Sequence, residues 1–128
     1  MAPMTNLISY AYMTGIPYQQ MEYGQFMHQG NLADFVWERS PLRHASSVAT
    51  PTMLLQGEND AAAPISESEQ YYMALKQVGV ETVMVRYPRE GHGLRETPHI
   101  IDSIDRSIAW YEKHFPAPNA HVHTNLQP

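Results

Sequence analysis

The pattern of hydrophobic and polar positions divides the chain near residue 50. Beyond that point it is regular. "PTMLLQG", Pro51–Gly57, is a short continuous apolar run closed by a glycine, the pattern of a strand buried on both faces of a parallel sheet. A polar loop, "ENDAAAP", follows. "SESE", Ser66–Glu69, then has the form of a capping box, in which Ser66 accepts from a first-turn N–H and Glu69 reaches back. It predicts a helix carrying Tyr72, Leu75 and Val78 at three-residue spacing, with Tyr71 and Ala74 alongside and Gly79 in the left-handed position after its end. "ETVMVRYP" alternates, placing Val83, Val85 and Tyr87 on one strand face before Pro88 stops it. After "REGHGLRE", Thr97 is the expected N-cap and Pro98 a first-turn proline. Ile101, Ile104, Ile108, Tyr111 and Phe115 then recur at helical spacing.

Residues 51–115 therefore predict strand, loop, helix, strand, loop, helix: a βαβα unit with a parallel sheet and a right-handed crossover. Residues 1–50 are irregular and rich in Met, Tyr, Gln and Gly, with turn signals at "TGIP" and "HQGN" and short helical turns expected at 18–27 and 31–38. Tyr18, Met21, Tyr23, Phe26 and Met27 are suited to packing, as irregular core or as a pocket wall or interface. Residues 116–128 are expected to be a flexible tail.

In a parallel sheet, ligands bind beyond the carboxyl ends of the strands. Asp60 and His92 each fall just after a predicted strand end, so both should project from one rim. A buried carboxylate that accepts from one imidazole nitrogen fixes the tautomer of the ring and stabilises the imidazolium formed in general-base catalysis. The chain order acid then histidine, with one helix and one strand between, is that of the α/β-hydrolase fold, whose serine lies upstream on a Gly-x-Ser-x-Gly elbow. No serine here is flanked by glycines at that spacing. Ser66 is better used as a cap, and Ser103 and Ser107 sit within a predicted helix.

Composition narrows the partners. A net charge of −5 with no basic cluster argues against nucleic acid and an anionic membrane surface, and no apolar run reaches spanning length. The absence of cysteine excludes disulfides, thiolate zinc sites and a cysteine nucleophile, and fits a cytoplasmic setting; no leader is read at the N-terminus and no cofactor is expected. A metal reading of Glu90, His92, Glu96 and His99 is weakened by Pro98, which interrupts the helix those spacings need. Arg95, Glu96 and the Asp102/Asp105 pair are expected to be solvated, His28, His44 and His114 to be packing or surface residues, and His121 and His123 to lie in the tail.

The segment "SPLRHASSVATPTMLLQGENDAAAPISESEQYYMALKQVGVETVMVRYPREGHGLRE", with "IAWYEKHF" after it, resembles the C-terminal end of the prolyl oligopeptidase family of serine peptidases, which includes acylaminoacyl peptidases and dipeptidyl peptidases. The likeness runs from Ser40 to about Phe115, and "APMTNLIS" resembles the segment just after the strand that follows the nucleophile helix. It implies the C-terminal portion of an α/β-hydrolase domain, with Asp60 as triad acid and His92 as triad base. Gln56 stands where the family commonly has histidine, and Ala63 and Glu67 where Val and Gln are common. The nucleophile, the oxyanion donors and most of the sheet would then lie ahead of Met1. The expected function is that of a serine hydrolase acting on a peptide or small acyl substrate, inactive as this chain alone. Its incomplete sheet would be completed by a homo-oligomer or by a complementary N-terminal chain bearing the serine. The alternative is a non-catalytic oligomerising module derived from the same fold.

Overall fold

The computed structural model describes residues 2–27 and 32–115. Strands β1 (Thr52–Gly57) and β2 (Thr82–Tyr87) run parallel, in register from Thr52 against Thr82 to Gly57 against Tyr87. Helix α4 (Ile65–Gln77) is the crossover between them and α5 (Thr97–His114) follows β2, so the βαβα order expected for residues 51–115 is the observed one. The sheet is small and open: among the described residues each strand has one paired edge.

That openness modifies the burial expected of β1. Alternate side chains of a strand point to opposite faces, and residues paired in parallel register share a face. Leu54 and Gln56 are buried on the α4 side, whereas Met53 and Leu55, on the other face, are only half-buried. Val83, Val85 and Tyr87 share that second face as the alternation requires, but Val83 is 39% exposed. Helix α5 is attached there by the Tyr87 hydroxyl, which donates to Asp102 Oδ2 at 3.0 Å, and by an ion pair between Lys113 and Glu81. Asp102, expected on the wet face, is instead half-buried and serves as this anchor. Burial together with the Asp102 bond pushes the Tyr87 phenol up to about 12. None of the α5 residues is buried, and its apolar stripe of Ile101, Ile104, Ile108, Tyr111 and Phe115 is exposed.

The core lies under α4, where Leu75 is fully buried against Ala45 and Val80 with Val48, Tyr71 and Ala74 around them. The end of α4 is a Schellman motif. Gly79 has φ +83°, its N–H donates to Lys76 O, and the Val80 N–H donates to Leu75 O while the two side chains meet in the core. The two expected helix starts are corrected. Pro64, held extended, is the N-cap of α4 and no side chain caps it; Ser66 lies inside the first turn, and Glu69 pairs with Arg86 instead of reaching back. Glu96, not Thr97, is the N-cap of α5, because the Glu90 carboxylate takes the N–H groups of Arg95 and Glu96 and steers the chain into the helix earlier.

The first fifty residues are more helical than their composition suggests. Helices α2 (Pro17–Met27) and α3 (Leu32–Glu38) correspond to the expected turns, but α1 (Leu7–Met13) and a 3-10 helix (Pro41–Ser47) do not appear in that reading. The signal for α1 is Asn6, whose Oδ1 accepts from the N–H groups of Ile8 and Ser9, followed by Tyr10 and Ala11 as a buried pair. Tyr23 meets Tyr10 edge-on, but Tyr18 and Met21 are exposed rather than packed. "HQGN", residues 116–128 and the side chains of Phe26 and Met27 lie outside the described residues. No helix among the described residues is long and apolar enough to cross a membrane.

Helix α1 bridges α4 and the loop after β1. At its start the buried Glu67 carboxylate of α4 accepts from the N–H groups of Thr5 and Asn6, at 2.9 and 2.7 Å, and from Ser9 Oγ at 2.5 Å. At its end Thr14 Oγ1 donates to Ala62 O at 2.8 Å and the Gly15 N–H to Ala61 O at 2.5 Å. A side chain at position 15 would put a Cβ 2.8 Å from that carbonyl, so glycine is required there. Replacing Glu67 by Ala leaves the Thr5 and Asn6 N–H groups without this acceptor, each worth roughly 1–3 kcal/mol if it stays buried. Hydrogen–deuterium exchange should then accelerate across residues 5–15 and the loop at 60–63 while the β1–β2 amides keep their protection.

Candidate active site

Asp60 and His92 leave the sheet at the same rim. The register ends with Gly57 opposite Tyr87, and the ladder continues into the two loops: Glu58 N–H donates to Tyr87 O at 3.0 Å and Asn59 N–H to Glu90 O at 2.8 Å. Gly57 permits this approach. A Cβ there would lie 2.2 Å from Gly91 O and 2.6 Å from Glu90 O, closer than any real contact. The glycine that closes the apolar run thus lets the histidine loop lie against the acid loop.

The Asp60 side chain is fully buried and each of its oxygens is occupied. Oδ1 accepts from the N–H groups of Ala62 and Ala63, both at 2.9 Å. Oδ2 accepts from Gln56 Nε2 at 3.1 Å and from His92 Nδ1 at 3.0 Å. Nδ1 must carry a proton to donate to a carboxylate, so the neutral ring is left with a bare Nε2. The His92 side chain is 65% exposed, which puts Nε2 at the solvent end of the ring. His92 lies between two depressions. One, of about 320 Å³, is lined by Leu55, Leu94 and Ser103; the other, of about 420 Å³, by Asn59, Arg89, Arg95 and Glu96. The Ser103 hydroxyl shares a cavity with His92 but donates to Ile100 O at 2.7 Å within its own helix.

A second buried carboxylate holds the histidine loop from behind. Glu90 accepts from the N–H groups of Arg95 and Glu96, each at 2.8 Å, and from His99 Nδ1 at 2.9 Å. Burial pushes its carboxyl up, but the Glu96 N–H, His99 and the Arg95 N–H outweigh burial and hold it below the ordinary carboxylate range. Glu96 is gripped at both oxygens by Arg89, at 2.8 and 2.7 Å, and so is not simply solvated. Arg89 itself sits at φ +68°, a left-handed turn for a non-glycine residue. Glu90, Glu96 and His99 bring three ligand-type atoms within 4.8 Å of one another, but both carboxylates already face internal donors. His92, the remaining member of the metal reading, is bound to Asp60 instead.

The prolyl oligopeptidase family model matches residues 1–117. The chain belongs to the prolyl oligopeptidase family. It is 36% identical over 118 residues to the uncharacterized peptidase YuxL of Bacillus subtilis (strain 168), covering 87% of this chain and 17% of that protein. It is 31% identical over 118 residues to the acylamino-acid-releasing enzyme of Rattus norvegicus, covering 88% of this chain and 16% of the relative. Among solved structures, a puromycin-hydrolyzing peptidase of Mycobacterium tuberculosis superposes with a TM-score of 0.77 at 29% identity, over 88% of this chain and 17% of that one. Acylaminoacyl peptidase from Pyrococcus horikoshii shares the fold, with a TM-score of 0.75 at 20% identity. The chain therefore has the α/β-hydrolase architecture of these peptidases and spans about a sixth of the length of the relatives it matches.

Asp60 and His92 meet at one rim of the sheet, as their positions just after the two strands predict. Glu90 and Gln56, which support them, are recognisable in the sequence only as motif positions, the glutamate of "YPREGHG" and the departure before Gly57. Because the folded value of Glu90 lies below its unfolded one, its contribution to stability is complete above the ordinary carboxylate range and is lost as pH falls through the lower folded value. Acid unfolding followed by circular dichroism should show this component, and Glu90→Gln should flatten that part of the curve.

Proposed function

We propose that the chain carries the acid–base half of a serine peptidase or acyl hydrolase, with Asp60 orienting His92 and His92 Nε2 acting as general base and then general acid. The reading rests on one observation: an exposed imidazole bonded at 3.0 Å, through Nδ1, to a fully buried carboxylate. As a serine Oγ bonds to the acyl carbon, its proton passes to Nε2. Collapse of the tetrahedral intermediate breaks the bond to the leaving group, which takes that proton, and water repeats the cycle to free the serine. Asp60 keeps the ring in the required tautomer and balances the transient imidazolium charge.

The hydroxyl comes from outside these residues. No serine of the chain stands in a Gly-x-Ser-x-Gly turn, and the hydroxyl groups of Ser9, Ser40, Ser68, Ser103 and Ser107 donate to groups of the fold. The names of the relatives, peptidases and acylamino-acid-releasing enzymes, favour a peptide or small acyl substrate. The 128-residue chain should neither hydrolyse an activated ester nor be labelled by a serine-directed fluorophosphonate; covalent labelling would refute this. Spliced into the Bacillus subtilis relative in place of the matching segment, it should support hydrolysis of a chromogenic acyl substrate. Asp60→Asn in that chimera should lower kcat by about 10⁴-fold, the scale known for neutralising the acid of a serine-protease triad. A chimera whose serine is labelled normally but whose turnover ignores Asp60 and His92 would overturn the assignment.

A second reading is favoured by α5 and the sheet edges. The exposed Ile101, Ile104, Ile108, Tyr111 and Phe115, and a strand edge left unpaired among the described residues, are surfaces suited to association in the absence of the rest of a hydrolase domain. Light scattering on the purified chain should then report a dimer or larger species. A monomer across the micromolar range would dismiss the oligomerising module.

A further inference from the structure

Asp60 Oδ2 accepts two hydrogen bonds, and only one of them comes from His92. The other comes from Gln56, the penultimate residue of β1, which is 1% exposed and has its amide fully used. One Nε2 hydrogen goes to Asp60 Oδ2 at 3.1 Å and the other to Ala63 O at 3.0 Å. Gln56 Oε1 accepts from the buried Ser68 hydroxyl of α4 at 2.7 Å. The carboxylate and the carbonyl can only accept, so they decide which way the amide faces, with Nε2 toward the acid loop and Oε1 left for the Ser68 hydroxyl.

We infer that Gln56 is a positioning residue for the Asp60–His92 pair, with Ser68 tethering the far end of its amide. The amide spans the acid loop from inside, holding the Asp60 side chain and the Ala63 carbonyl at once, so the carboxylate cannot rotate without breaking its bond to Gln56. Oδ1 is pinned by two backbone N–H groups, and Gln56 pins the remaining oxygen, the one that His92 reads. An amide is also neutral, so Gln56 holds the buried acid loop without adding a charge to it. A buried polar network is worth having only when every member is satisfied, and this one is.

The inference rests on the acid–base reading above, and one experiment separates the two. Histidine-¹⁵N-labelled chain is examined by long-range ¹⁵N–¹H correlation, which distinguishes the Nδ1–H from the Nε2–H tautomer of His92. The unsubstituted chain should show Nδ1–H as the dominant neutral form, with a low-field, slowly exchanging proton. If it does not, the acid–base reading fails before Gln56 is tested. Gln56→Met keeps the shape and removes the donor. It should abolish the low-field proton and reduce the Nδ1–H form to a minority, while the backbone spectrum changes only around residues 56–63 and 90–93. Ser68→Ala, a smaller change, should produce the same effect in weaker form and is the deciding variant if Gln56→Met does not fold. A folded Gln56→Met chain with the proton and tautomer unchanged, or an unchanged Ser68→Ala chain where Gln56→Met is unfolded, would overturn the role of Gln56.

Discussion

A carboxylate taken out of water must be given donors, and the rim of this sheet is organised around meeting that demand for Asp60. Its four hydrogen bonds come from three sources: the loop's own backbone at Ala62 and Ala63, the strand at Gln56, and the neighbouring loop at His92. Three of the four would exist whether or not His92 were present. The histidine is therefore offered a carboxylate that is already fixed, and it can remain largely in solvent because it does not have to hold its partner in place.

The same solution recurs twice. Glu67 gathers two backbone N–H groups and a hydroxyl from the N-terminal segment, and Glu90 gathers two backbone N–H groups and an imidazole at the entry to α5. Each buried charge ties a loop that has few apolar contacts of its own, which suits a unit whose core is confined to one side of its sheet. The bonds form a chain of dependence. Glu67 seats α1, α1 holds the Ala61 and Ala62 carbonyls, and those residues belong to the loop that carries Asp60. On the other flank, Glu90 and the Arg89–Glu96 pair set the course of the chain on either side of Gly91–Gly93.

Much of this was legible in the residues. Strands declare themselves through continuous or alternating apolar runs, so β1, β2 and the loops after them could be placed, and with them Asp60 and His92. Helix ends were less legible. Ser66 and Thr97 have the chemistry of caps, but the true boundaries were moved by Pro64 and by the distant Glu90, and a pattern of near neighbours does not register a carboxylate arriving from another loop. Helix α1 escaped because seven residues contain too little periodicity to stand out, and its stability comes from Asn6 and Glu67 rather than from an apolar face. Burial was overestimated on the α5 side for a related reason: alternation marks which face of β2 is apolar, not whether anything lies against it.

The close approach at Gly57 has a consequence for how such an enzyme divides its labour. Because the acid loop and the histidine loop are bonded to each other directly, through Asn59 and Glu90 and across Gly57 and Gly91, the angle between carboxylate and imidazole is an internal coordinate of this unit. Sliding or tilting the unit against whatever supplies the hydroxyl would lengthen the path of the transferred proton while leaving ring orientation untouched. Under the proposed function, the acid–imidazole part of the alignment is set locally, and docking sets only where Nε2 lies relative to the hydroxyl.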